Sequence, residues 1–473
     1  MHETPKQEAQ GAKQLIESWR AAGQGHVFAF WEQLSDGQRA GLLGQLAQQD
    51  LEQIQALGKL VREDAAPATP SSFEPAPVFP LERDAEQLAS AEAARALGAE
   101  RLAAGKVGYV LVAGGQGSRL GYDGPKGEFP VGPLTGASLF AWHAARLAAA
   151  SKRHGSAVRW YVMTSQANDA ATRAFFERND DFGLGADSVM FFTQAMLPAL
   201  DLQGRVILAS PSDLFLAPNG HGGTLEALHN SGALADAAAR GIETFSYFQV
   251  DNPLARPADP LFLGLHAQAG ADMSSKVVPK RDPGEKVGVL GLADGVLGCI
   301  EYSDLPAELR DATDRQGRLV FNAGNIAKHA IERSFVERLT ADGLDLPWHL
   351  ARKSMASIDA QGQPTKIDGV KFETFVFDAL HVAKNSVTLE VERAKEFSPV
   401  KNAEGQDSPA SCRADLVSMF ADWIASTPGA HAPPEVEGQS AIEVAPTFAE
   451  DAEEFASRAR VAPKDLAGGH HYA

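Results

Sequence analysis

The sequence predicts an α/β protein: a Rossmann-like, mostly parallel central sheet with helices on both faces, a helical N-terminal region and a small C-terminal α+β region. Three observations predict it. β-like runs alternate with helical ones from about residue 107 to 385, a glycine-rich turn directly follows the first of those runs, and the residues before them carry apolar side chains at helical spacing.

The elements follow in chain order. Residues 8 to about 64 are predicted helical, because Leu15, Ile16 and Trp19, then Leu42, Leu43 and Leu46, then Leu51, Ile54, Leu57, Leu60 and Val61 recur at roughly helical spacing. The run Ala65-Ala66-Pro67-Ala68-Thr69-Pro70-Ser71-Ser72 and the stretch from Pro75 to Pro80 break that pattern and read as a linker or extended wrap. A further helix is predicted over about 84–104. Strands are predicted at Val107 to Val112, Arg159 to Thr164, Val189 to Phe192, Thr244 to Val250 and Met273 to Val278, with helices at about 138–153, 167–178 and 223–239. In such sheets ligands bind at the carboxyl ends of strands. After about 386 comes a smaller tail with an acidic helix, Phe448 to Ala459, and His470-His471 reads as an unstructured end. The expected division is therefore a helical region and linker at 1–104, a catalytic domain at 105–385 and a small domain at 386–473. No internal repeat is present, and no hexapeptide array.

Composition narrows the function. The formal net charge is −18 and the pI near 5.2, so the basic footprint of a nucleic-acid binder is missing. No apolar run approaches the ~18 residues of a membrane span. The start, Met1-His2-Glu3-Thr4-Pro5-Lys6, lacks the layout of a secretion signal, and a cytoplasmic protein is expected. Two cysteines, Cys299 and Cys412, make neither a disulfide framework nor a metal cluster. A polyanionic substrate would need a local island of Lys, Arg and backbone N–H groups.

Such an island is suggested by Val110-Leu111-Val112-Ala113-Gly114-Gly115-Gln116-Gly117-Ser118-Arg119-Leu120-Gly121. Glycines after an apolar strand let the backbone approach a ligand with N–H groups pointed at phosphates. The spacing is neither Gly-x-Gly-x-x-Gly nor a Walker loop, and a tight structural turn is the plain alternative. Arg119 within the loop and Pro125-Lys126-Gly127 just after it shift the balance. A guanidinium can bond two phosphate oxygens at once, and a rigid Pro-Lys-Gly element can hold an ammonium beside it. Two fixed cations suit a triphosphate and its departing pyrophosphate.

At these residues the chain resembles the eukaryotic-type UDP-sugar pyrophosphorylase family, whose loop reads Gly-Gly-x-Gly-Thr-Arg-Leu-Gly and then Pro-Lys-Gly, and most closely its UDP-N-acetylglucosamine pyrophosphorylase branch. The resemblance covers roughly residues 107–402. It runs through Trp160 to Ser165, Phe191 to Ala199, Ala217 to Gly223, Val250-Asp251-Asn252, Ile300 to Ser303, Phe321 to Ile326, Lys371 to Asp378 and Glu396 to Asn402. It implies a GT-A type nucleotidyltransferase fold and a uridylyltransferase that joins UTP to a sugar 1-phosphate, releasing pyrophosphate. Mg²⁺, or Mn²⁺, is the implied cofactor.

Individual positions gain roles from this resemblance. Val112, Ala113, Gly114, Gly115 and Lys126 are implied on the nucleotide. Gln194 can read the edge of uracil through its amide, or simply cap local backbone; the resemblance implies uridine contact for it and for the backbone around Gly220. Gln249 corresponds to a nucleotide-contacting position, through backbone. Asp251 at a strand's carboxyl end is placed to hold the metal against phosphate oxygens, although Asp-Asn-Pro is also ordinary turn chemistry. Glu301, Tyr302 and Asn322 look like the sugar-reading group, with Gly288 allowing close backbone approach. Lys371 is implied on the nucleotide side and Lys401 on the sugar phosphate.

The implied chemistry is in-line displacement at the α-phosphorus by an already ionised phosphate, with Arg119, Lys126 and Lys401 as catalytic cations and no general base. Asn322 and the Phe-Ser-Pro-Val-Lys-Asn stretch favour N-acetylglucosamine 1-phosphate. His221 departs from that branch, which has Asn there, and is similar to the glucose-using relatives; glucose 1-phosphate is the alternative substrate. Ser118 replaces the usual Thr. A non-catalytic nucleotide-sugar binder is the alternative from another class.

Overall fold

The computed structural model describes residues 5–63, 70–436, 439–458 and 460–473. Residues 65–69 of the predicted linker, and Ala459 at the end of the predicted acidic helix, lie outside the described residues. The chain forms two compact units, Met1–Thr69 with Ala195–Gly223 and Leu346–Phe375, and Pro70–Gln194 with Thr224–Asp345 and Val376–Ala473. The predicted division at 104 and 385 follows chain order, whereas these units interleave stretches of the chain, because packing gathers segments by contact and not by sequence.

The larger unit holds a sheet of ten strands among the described residues. These are β1 (Phe73–Pro75), β2 (Val107–Val112), β3 (Trp160–Thr164), β4 (Val189–Thr193), β5 (Thr244–Gln249), β6 (Met273–Pro279), β7 (Val289–Ala293), β8 (Val296–Ile300), β9 (Ala323–Glu332) and β10 (Thr388–Glu390). The path runs β1-β7-β9-β5-β2-β3-β4, with β8 on β7, β6 on β9 and β10 on β6. Strands β5, β2, β3 and β4 are parallel neighbours, as the alternation of strand and helix requires. Antiparallel β9 and β7 extend the sheet beyond β5.

Alternation along each strand sends side chains to opposite faces. Val107, Tyr109 and Leu111 join Trp160, Val162 and Phe248 in the main core, where the Phe176 ring lies tilted against Trp160 and edge-to-face with Phe140, at 5.4 and 5.0 Å between ring centres. Tyr161 and Met163 point the other way. The Tyr161 hydroxyl donates to Asp236 at 2.8 Å and the Thr224 hydroxyl reaches Met163 Sδ at 3.2 Å. Helices α1 (Ala85–Ala103), α2 (Leu139–His154) and α3 (Asp169–Arg178) contribute to the first face; α4 (Gly223–Asn230) and α5 (Ala233–Ala239) cover the second. The predicted helix over 223–239 is thus two, broken at Gly232, whose φ of 81° no continuing helix adopts.

The predicted unstructured end is a correction. His470 and His471 belong to a strand, Gly469–Tyr472, paired in parallel with Ile442–Val444. Tyr472 is buried, its ring 5.1 Å from Phe455 and 5.3 Å from Phe448. The acidic helix is shorter than predicted, Ala452–Arg458.

In the smaller unit the predicted helical stretch resolves into Pro5–Ala21, Asp36–Ala47 and Leu51–Glu63. Ser35 starts the second with a reciprocal capping box to Gln38. Trp19, Leu42, Leu46, Ile54 and Leu57 pack with Leu200, Val370 and Phe372, which come from the three-stranded sheet Leu200–Asp201, His349–Ile358 and Pro364–Glu373. No helix among the described residues is long and apolar enough to cross a membrane.

Candidate functional site

Strand β2 ends at Val112, and the chain turns through the glycine-rich loop at the carboxyl edge of the sheet. Ala113 adds one more sheet bond, its N–H donating to the Met163 carbonyl at 2.8 Å. The next carbonyls are taken by side chains from the end of β3. Asn168 Nδ2 donates to the carbonyls of Ala113 and Gly115 at 2.9 and 3.2 Å, and Ser165 Oγ to that of Gly114 at 2.8 Å. The N–H groups of Gly114, Gly115 and Gln116 donate to no backbone carbonyl among the described residues. Carbonyls held inward and amides left over make the kind of concavity that receives anions.

The two glycines of this turn differ. A Cβ on Gly115 would meet nothing within 4 Å, so it borders open space. A Cβ on Gly114 would lie 3.0 Å from Gln194 Nε2. Gln194 is held by its own N–H, which donates to the Thr164 carbonyl at 3.0 Å, so its amide lies directly over the loop.

Lys126 is seated by two contacts. Its N–H donates to the Gly115 carbonyl at 3.1 Å, and Gly127 behind it packs so closely on Phe140 that a Cβ would lie 2.1 Å from the ring. The ammonium then stands 3.7 Å from Asp251 Oδ2, both side chains more than four-fifths buried. Asp251 arrives from β5, whose Gln249 is in register with Val112 and whose Val250 N–H donates to the Val112 carbonyl at 3.1 Å. The carbonyl of Asp251 accepts from Val400 N–H at 2.8 Å, placing Lys401 next in line. Its ammonium lies 5.4 Å from the centre of the Phe397 ring.

The structure therefore gathers Gly114, Gly115, Lys126, Gln194, Asp251 and the backbone of Lys401 at adjoining strand ends. Arg119 stands on the exposed turn Ser118–Leu120, closed by Gly121 at φ 69°, and makes no ion pair among the described residues.

The predicted sugar residues Gly288, Glu301, Tyr302 and Asn322 lie in the same unit, and two of them are neighbours. A Cβ on Gly288 would lie 2.7 Å from Cys299 Sγ and 3.4 Å from Glu301 Oε1, so this glycine and this carboxylate are neighbours. Asn322 Oδ1 accepts from the Lys280 N–H at 2.8 Å, which orients the amide and turns its NH₂ to other partners. Tyr302 is exposed.

Gly220, His221 and Lys371 belong to the smaller unit. Gly220 has a φ of 83°, and a Cβ there would lie 2.4 Å from the Thr374 carbonyl, so only glycine fits. His221 stacks on Phe375 with ring centres 5.2 Å apart and 26° between planes; His349 meets the same ring at 4.3 Å. The Lys371 ammonium lies 5.2 Å from the centre of the Phe215 ring.

Among the described residues no three His, Cys, Asp or Glu side chains form a metal cage. Asp251 is one carboxylate beside an ammonium, a donor set that fits a cation held mainly by substrate phosphates and water. Sequence alone assigns no role to Ser165 and Asn168, which hold the loop carbonyls, or to Asn252, whose Nδ2 donates to the Glu396 carbonyl at 2.8 Å. A polar pair three residues apart immediately after β3, Ser165 and Asn168, was the available signal for the first two.

A model of the family described as UTP–glucose-1-phosphate uridylyltransferase matches residues 75–464. The UDP-N-acetylhexosamine pyrophosphorylase-like protein 1 of Xenopus tropicalis is 38% identical over 423 residues, 85% of this chain and 82% of its own. A probable UDP-N-acetylglucosamine pyrophosphorylase of Dictyostelium discoideum is 35% identical over 435 residues, 87% of this chain and 88% of its own. The crystal structure of the uridine diphosphate N-acetylglucosamine pyrophosphorylase from Trypanosoma brucei, in complex with inhibitor, is similar with a TM-score of 0.79 and 27% identity, covering 94% of each chain.

Proposed function

The chain belongs to the UTP–glucose-1-phosphate uridylyltransferase family, and we propose that it converts UTP and N-acetylglucosamine 1-phosphate to UDP-N-acetylglucosamine and pyrophosphate. The observation that carries the mechanism is the Lys126 ammonium 3.7 Å from Asp251, beside a loop in which the N–H groups of Gly114, Gly115 and Gln116 donate to no backbone carbonyl among the described residues.

In this reading Gly114 and Gly115 cradle the phosphates through their N–H groups and Gln194 reads uracil. Arg119 and Lys126 stabilise the departing pyrophosphate, and Lys401 seats the sugar phosphate. Like unit charges ~4 Å apart repel by about 4 kcal/mol at an effective dielectric of ~20, so a cation between the reacting phosphates offsets a large part of their approach cost. The nucleophile is already ionised, and catalysis is positioning plus charge neutralisation. Asp251 would hold Mg²⁺, which supplies Lewis-acid neutralisation of the phosphate oxygens when bound.

The sugar choice is supported by Asn322. With its Oδ1 taken by the Lys280 N–H, its NH₂ can donate to an N-acetyl carbonyl, while Glu301 is an acceptor for sugar hydroxyls. His221 favours a second reading, glucose 1-phosphate. The test is pyrophosphate release from UTP and Mg²⁺ with a panel of sugar 1-phosphates. Fastest turnover with the N-acetylated sugar is expected; fastest turnover with glucose 1-phosphate overturns the sugar assignment, and nucleotide binding without turnover overturns the enzyme.

A further inference from the structure

We propose that Lys276 is a positioning residue for the reaction: caged between Asp259 and Glu396, it ties the segment that carries Asp251 to the segment that carries Lys401 and sets the spacing of those two groups. The inference rests on the roles of Asp251 and Lys401 proposed above.

Lys276 lies on β6 and is fully buried, so it touches no substrate. Its ammonium is 2.6 Å from Asp259 Oδ2 and 2.5 Å from Glu396 Oε2. Asp259 caps the helix Pro260–Gln268, its Oδ1 accepting from the Leu261 N–H at 3.0 Å, and it follows Asp251 along one continuous loop. Glu396 closes the short turn Arg393–Glu396 and leads directly to Lys401.

Between these anchors the two segments are laced together. Asn252 Nδ2 donates to the Glu396 carbonyl at 2.8 Å, its Oδ1 accepts from the Ser398 N–H at 3.2 Å, and the Val400 N–H donates to the Asp251 carbonyl at 2.8 Å. All three contacts are short and local. They tie Asp251 and Asn252 to Glu396, Ser398 and Val400 but do not reach Asp259, at the other end of the first segment. Lys276 does, because one ammonium must satisfy two carboxylates, one on each segment.

Further cationic side chains surround the cage. A second buried amine, Lys328, donates to Ser246 Oγ at 2.5 Å, its own protonation opposed by burial and by Lys276; Arg256 pairs with Asp451 at 3.3 Å and also faces Asp259 and Glu396, while Arg83 faces Asp259 and Arg146 faces Glu396. Buried ion pairs add little net stability compared with an apolar core, but their directional geometry can specify one arrangement. Here the arrangement specified is the one that aligns a metal-facing carboxylate with a phosphate-facing ammonium.

The variants are Lys276→Met and the milder Glu396→Gln, which keeps the shape and leaves no unpaired carboxylate at 396. Both are assayed in the full-length protein with UTP, N-acetylglucosamine 1-phosphate and Mg²⁺, with rates normalised to the folded fraction. The expected result is a fall in kcat and a rise in KM for the sugar phosphate, each on the order of tenfold, as for residues that orient a site from behind. KM for UTP should rise less than KM for the sugar phosphate, because the loop after β2 is also held by Ser165 and Asn168 from the end of β3, whereas Lys401 follows Glu396 on the caged segment. Should Lys276→Met fail to fold, Glu396→Gln and Asp259→Asn, each of which removes one charge of the cage, carry the same expectation. Unchanged KM for both substrates, with activity simply tracking the folded fraction, overturns the inference and leaves the enzymatic reading standing. A wild-type protein that turns over no sugar phosphate removes both.

Discussion

The Lys126 ammonium and the Asp251 carboxylate face each other at 3.7 Å, one from a loop after β2 and one from the end of β5. That separation is longer than the usual 2.7–2.9 Å of a charge-assisted hydrogen bond, so each group keeps bonding capacity for a third party. An anion on the lysine side and a cation on the aspartate side would satisfy both.

Replacing Lys126 by Met should leave folding intact and lower kcat by about 10²–10³, the usual cost of removing one donor aimed at developing charge. Pyrophosphate release measured beside thermal unfolding checks it. A stable variant with near-native kcat would remove Lys126 from the chemistry.

Chelation should stop turnover, and Mg²⁺ should restore it. In Asp251→Asn the magnesium concentration for half-maximal rate should rise, since a neutral amide holds a hard cation less well. An unchanged magnesium dependence would show that the carboxylate at 251 plays no part in holding the ion.

Two glycine substitutions separate site from scaffold. Gly127→Ala drives a Cβ into the buried Phe140 ring and should destabilise by about 1–3 kcal/mol, read from urea unfolding. Gly115→Ala meets open space and should change stability by less than about 0.5 kcal/mol while raising KM for UTP.

His221→Asn removes the stack on Phe375 and should raise the ratio of kcat/KM for N-acetylglucosamine 1-phosphate over glucose 1-phosphate. An unaltered ratio takes this residue out of sugar selection.

Burial lowers the pKa of Lys328 from 10.5 to about 7, with the charge on Lys276 acting in the same direction. Between those values the unfolded chain binds a proton that the folded chain does not, so this lysine makes stability rise with pH across that window. Relative to Lys328→Met, the wild type should gain up to about 1.4 kcal/mol per pH unit above pH 7, read from urea unfolding at pH 7 and 9.5. A pH-independent difference would contradict the lowered pKa of Lys328.

Much of the fold was legible because its signals are local. Strand β2 runs from Val107 to Val112 as predicted, since an unbroken apolar run bounded by glycine admits few other structures. The break at Gly232 went unread, although Ser231-Gly232 is ordinary turn chemistry. Gln194 was legible only as an amide after a strand; its position over Gly114 follows from how β3 and β4 pair.

Residue order alone was enough for the α/β class, the glycine turn and the identity of its cations, because period, turn chemistry and charge are properties of short stretches. It could not say that Asp251 stands beside Lys126, that Glu396 and Asp259 share one buried lysine, or that Tyr472 closes the C-terminal core. Those pairings join residues far apart in the chain, and only the register of the sheet and the packing of the segments beyond its strand ends bring them within reach.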